Sequence, residues 1–110
     1  MIEAGQYRQR VTIQSKTTVT NELGETSDSW SDFLVNIAAQ VYDLRGNELV
    51  AAQQVHNEVF TNIKIRYRST ILPSMRVVFR GLNYNILAVI DRDKRNIELE
   101  LYCSQGLSDG

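Results

Sequence analysis

The sequence has little of what staples, bends or bridges a chain. Its single cysteine, Cys103, excludes an internal disulfide and a thiolate zinc site, so a reducing compartment is the default expectation. One proline and six glycines argue against a disordered or low-complexity chain. Apolar stretches are too short for any segment to cross a bilayer as a helix. The first residues carry neither the basic start nor the apolar core of a secretory leader. The lone histidine, His56, ends a predicted helix beside Val55, where a spacer or a charge partner for the helix end is the ordinary role. No glycine-rich phosphate loop, paired metal-ligand motif or nucleophile elbow occurs. Asp91 and Asp93 could face a cation, but Arg92, Lys94 and Arg95 neutralise that turn. The expectation is a protein with no catalysis, no cofactor and no metal.

What is present suits one domain over residues 1–110. At 43% hydrophobic, a chain of 110 residues can bury a core without covalent help. The net charge of −1 conceals an asymmetry. Residues 1–60 hold four basic side chains against eight acidic ones, whereas residues 61–110 hold eight against five. That dipolar layout suits head-to-tail association and equally suits two solvated faces.

Most of the chain alternates with the period of a strand. Val11 and Ile13 share one face of the first, opposite Arg10, Thr12 and Gln14. Residues 15–29, from Ser15 to Ser29, are polar and long for a connection, with Leu23 their largest apolar side chain. They read as a long loop or as a solvated hairpin turning at Leu23-Gly24-Glu25. From Trp30 to Leu44, alternation places Phe33, Val35, Ile37, Ala39 and Val41 on the core side. Residues 47–56, from Asn47 to His56, change to helical period, with Asn47 as N-cap and Glu48 in the first turn. Ile63, Ile65 and Tyr67 then alternate with Lys64, Arg66 and Arg68. Short strands around Arg76–Arg80, Tyr84–Ile90 and Ile97–Tyr102 follow, and the tail from Ser104 is polar. The expected fold is mainly β, a small antiparallel β-barrel or rolled sheet of about six strands. One inserted helix would cap an open end.

Lys64, Arg66 and Arg68, with Arg76 and Arg80 on the next strand, invite a nucleic-acid reading. Tyr67 belongs to the core-facing set, however, and Glu98 and Glu100 can pair with the cations across the sheet. A small-barrel nucleic-acid-binding module is therefore an alternative, not the leading expectation.

The ordered segments go further. Ala4-Gly5-Gln6-Tyr7-Arg8-Gln9-Arg10-Val11-Thr12-Ile13-Gln14, Asn21-Glu22-Leu23-Gly24-Glu25 with Trp30, and Leu44-Arg45-Gly46-Asn47-Glu48 with Ala52-Gln53 come first. Ile65-Arg66-Tyr67-Arg68, Pro73-Ser74-Met75-Arg76-Val77, Tyr84-Asn85-Ile86, Asp91-Arg92-Asp93 and Leu99-Glu100-Leu101-Tyr102-Cys103 follow. Together they resemble the head–tail joining family of tailed bacteriophages, also called head-closure or stopper proteins. The pattern departs at Ala38, where that family often carries tryptophan.

The resemblance implies a virion protein at the head–tail interface, assembled in the host cytoplasm. Its expected partners are further copies of itself in a ring of six or twelve, the portal or adaptor, a tail-completion protein and the packaged double-stranded DNA. No membrane is involved. It also implies a channel-facing or plug segment, for which Lys16, Thr17, Thr18, Thr20, Asn21, Glu22, Leu23, Gly24 and Glu25 are the candidates. For the contact between subunits the candidates are Glu48, Gln53, Gln54, Arg66 and Arg68. A tail-completion or tail-terminator ring protein is the nearest alternative.

Overall fold

A computed structural model describes residues 7–91 and 94–105. The order is β1 (Gln9–Thr20), β2 (Thr26–Asp43), α1 (Gly46–Val55), β3 (Thr61–Arg66), β4 (Arg76–Phe79), β5 (Leu82–Asp91) and β6 (Glu98–Gln105). Every strand pairing is antiparallel, and the order β1-β2-β3-β6-β5-β4 closes into a barrel through Thr12↔Val78 and its neighbours. Closure satisfies the edges that an open sheet would leave free. The small antiparallel barrel expected from the alternation is therefore the fold. Residues 4–6 and 92–93, quoted above, lie outside the described residues.

The interior is built by period two. Ile63 sits directly opposite Leu101 and Ile65 opposite Leu99, and Ile13, Ile63, Ile65, Val77 and Leu101 are fully buried. β2 departs from the expected alternation. Between Val11↔Ile37 and Gln14↔Asp32, three steps of β1 face five of β2, so β2 carries two extra residues as bulges. Asn36 takes the left-handed conformation there, with φ of 59°. The phase change turns Leu34 onto the core and puts Phe33 and Val35 outside, 41% and 61% exposed. The assignment of Phe33 and Val35 to the core is thus corrected. Asparagine tolerates left-handed backbone and a β-branched residue does not. Asn36→Val is expected to cost about 1–2 kcal/mol in urea unfolding, and Asn36→Gly to cost little.

Between β4 and β5, Arg80 and Gly81 both have positive φ, 53° and 78°, and Phe79 faces Leu82. This is a two-residue type I′ hairpin, so β5 begins at Leu82, earlier than expected. β6 also runs on, with Ser104 opposite Asn85 and Gln105 opposite Tyr84.

The helix lies where its period placed it, shifted by one residue. Arg45, not Asn47, is the N-cap, and it makes no side-chain capping bond. At the other end the His56 amide donates to the Ala52 carbonyl, and His56 Nδ1 accepts the Glu58 amide at 3.3 Å. The helix does not cap an open end. It covers the outer face of the sheet, where Leu49 and Ala52 pack with Tyr42, Val59 and Tyr102. A bulge at Leu87 enlarges this outer cluster, since Ile86 faces Cys103 but Ala88 faces Tyr102. The shift adds Ala88 and Ile90 to Leu87 in the outer cluster, an apolar patch that needs a cover.

Candidate functional site

Past Gln14, β1 leaves β4 and pairs with β2 alone, from Ser15↔Ser31 to Thr20↔Thr26. The residues expected as a loop are therefore a paired, two-stranded ribbon closed by a turn over residues 21–25. Six pairs at strand rise carry it about 20 Å from the barrel. The molecule measures 52 × 28 × 27 Å accordingly. The polar composition of residues 15–29 reflects solvent on both faces and not irregular backbone.

An isolated two-stranded ribbon is marginal in water, so its base and tip need fixing. At the base, the Trp30 ring lies 4.3 Å from the Arg76 guanidinium and 5.9 Å from Lys16 Nζ. Arg76 Nε donates to Gln14 Oε1 at 2.8 Å, and Gln14 Nε2 donates to Asp32 at 2.9 Å. Midway, Asp28 accepts from the Thr18 hydroxyl at 2.8 Å and lies 3.5 Å from Lys16. The Thr18 bond, then Lys16, holds that carboxyl below its ordinary range.

At the tip, Asn21 Oδ1 accepts the amides of Leu23 and Glu25 at 2.9 and 3.0 Å. The Gly24 amide donates to the Asn21 carbonyl, and φ of 84° at Gly24 lies in the left-handed region that favours glycine. The result is a defined knob. Leu23 is 83% exposed, with Glu22 and Glu25 beside it in sequence.

The expected interface residues divide between α1 and the end of β3. Glu48 and Gln54 are exposed on α1, but Gln53 donates to the Val59 carbonyl at 3.1 Å and ties the helix to the segment that leads into β3. Arg66 faces Glu98 across the sheet, and Lys64 faces Glu100. Arg66 also lies 5.5 Å from the Tyr7 ring, whose hydroxyl donates to Glu98 at 2.6 Å. Arg68 is exposed just past β3. Lys64, Arg66, Arg76 and Arg80, four of the cations that invited a nucleic-acid reading, are thus matched or stacked within the fold.

Sequence reasoning missed two features. One is the buried pair beneath α1, where Asn62 Nδ2 donates to the Tyr42 hydroxyl and to Glu100 Oε1, both at 2.9 Å. The other is a shallow groove of about 320 Å³ over the β2 bulge, lined by Arg10, Val11, Thr12, Val35, Asn36, Val78 and Arg80. Only the bulge exposes Val35 there, and alternation gave no sign of it.

Two chemical consequences can be measured. Burial drives the Cys103 thiol far above its ordinary range, so alkylation by iodoacetamide is expected only through unfolding, at a rate that urea accelerates. Burial, then Glu98, likewise raises the Tyr7 phenol, and burial raises Tyr84. Both groups favour the neutral form in the fold, a preference present below the unfolded value near pH 10 and lost as the pH climbs past it. Ultraviolet titration should show both phenols ionising late and together with loss of structure. Among the described residues no cluster of histidine, cysteine or carboxylate side chains could hold a metal ion.

A family model described as phage head completion protein matches residues 2–106. The chain belongs to the phage head completion protein family. The resemblance drawn from the segment order is thereby borne out, and the chain takes a structural role in the phage head–tail region of the virion, among other head and tail proteins. Among solved structures it is similar to protein SF1141 from Shigella flexneri 2a, at 25% identity and a TM-score of 0.74, covering 96% of this chain and 97% of that one. It also shares its fold with a chain from the virion of a native gene transfer agent particle. That match has 17% identity and a TM-score of 0.56, over 88% and 94% of the two chains. No curated protein matched in sequence.

Proposed function

We propose that copies of this single-domain head completion protein form a ring below the portal or its adaptor once the head is full. The ring closes the head on its DNA and gives the tail its docking surface. The family match over residues 2–106 carries this reading. The structure adds physical support. A net charge of −1 lets double-stranded DNA pass without gripping its phosphates. The ribbon reaches beyond the barrel, so each subunit can contact something a barrel alone could not. With Glu22, Glu25 and Asp28 against Lys16, its outer part is acidic, so any closing of the channel by residues 16–25 is steric. A ring of six or twelve would multiply weak contacts of this kind. The role requires no catalytic group.

Heads filled in a host lacking this chain provide the test. Added purified protein is expected to stop DNA leakage and let tails join, restoring infectivity. Restoration by treating isolated tails, but not heads, would move the protein to the tail side as a completion or terminator ring. Salt-dependent binding to single-stranded DNA, with no effect on heads or tails, would favour a nucleic-acid module instead.

A further inference from the structure

The ribbon tip and the groove over the β2 bulge are complementary, and they lie at opposite ends of the ribbon. We infer that Leu23, collared by Glu22 and Glu25, docks in the groove of the next copy between Arg10 and Arg80, against Val35 and Val78. The inference rests on the ring reading and names the contact that would build it.

Each half has the chemistry of the other. Leu23 is the most exposed large apolar side chain among the described residues, at 83%, and the Asn21 bonds hold it in a fixed turn. A preorganised apolar knob loses little entropy on docking. The groove, about 320 Å³, has Val35 exposed and Val78 half-buried, with exposed Arg10 and Arg80 in its lining. Arg80 is placed by the type I′ turn, 4.9 Å from the Phe79 ring. Two carboxylates thus meet two guanidinium groups around an apolar centre, an arrangement that sets register and disfavours the reverse docking. Phosphate, by contrast, would meet the carboxylates of the tip.

A chain cannot fill its own groove. Leu23 and Val35 are twelve positions apart, extended over much of that length, on the order of 30 Å of ribbon. Two different surfaces therefore meet, which makes the contact heterologous and able to close a ring. Its area is small, well under the roughly 1,000 Å² of a stable pairwise interface. The contact is accordingly weak between free subunits and strong only when summed around a ring on its template.

The test uses cysteine pairs in the full chain on DNA-filled heads. Chains carrying Leu23→Cys and chains carrying Val35→Cys are mixed, bound to heads and oxidised, while buried Cys103 stays unreactive. The mixed disulfide should dominate over either homodimer. Adding Glu22→Arg and Glu25→Arg to the first chain should reduce it about tenfold or more. Adding Arg10→Glu and Arg80→Glu to the second should restore it. A ring visible on heads without the mixed disulfide would overturn the tip contact and leave the ring standing. No ring on heads would remove both.

Discussion

Shortening the ribbon by residues 17–20 and 26–29 together will leave the barrel folded and abolish tail attachment. The deletion removes four matched pairs, from Thr17↔Ser29 to Thr20↔Thr26, and sets the turn directly on Lys16↔Trp30. An even number of residues leaves each strand, so every remaining side chain keeps its face. The tip moves back by about 13 Å. All eight deleted residues are exposed, and the lost contacts are the surface interactions of Asp28 with Thr18 and Lys16. Such contacts contribute about 1 kcal/mol or less. Urea unfolding should therefore barely change, whereas infectivity restored to deficient heads should fall to background. Full activity of the shortened chain would show that the reach of the ribbon has no function.

Ile63→Ala is expected to cost about 2–5 kcal/mol, a large share of the roughly 5–15 kcal/mol available to a domain of this size. Ile63 is 0% exposed and stands between Val41 and Leu101 in the sheet, so no neighbour can close the cavity cheaply. Phe33→Ala is the informative comparison. Phenylalanine is the larger side chain, and strict alternation would bury it, yet the bulges turn it out. Its removal should cost only about 0.5 kcal/mol. Urea midpoints for the two variants would separate the bulged register from an unbroken one. A large loss at Phe33 would contradict the register of β2.

The same contrast marks how far the sequence could be read. Period two placed β3 and the inward face of β6 correctly, because Ile63, Ile65, Leu99 and Leu101 alternate without interruption. Period 3.6 located α1 within a residue. The failures fall where one inserted residue changes phase. Asn36 and Leu87 look ordinary in sequence, yet their bulges expose Val35 and turn Ala88 and Ile90 into the outer cluster that the helix covers. Asn47 has the residue type of a cap but sits two residues past it. The ribbon was legible as one of two readings for residues 15–29, since Asn21 and Gly24 are turn residues and threonine-rich flanks suit strands. The groove beside Arg10 and Arg80 was not legible, because it depends on which side of a bulge a valine falls.

Ring formation at the portal vertex is most directly tested by electron microscopy of DNA-filled, tail-less heads incubated with the purified chain. The expected image has a ring of barrels below the portal, retained DNA, and ribbons bridging each barrel to its neighbour. Density only on isolated tails, or heads left bare and leaking, would contradict it.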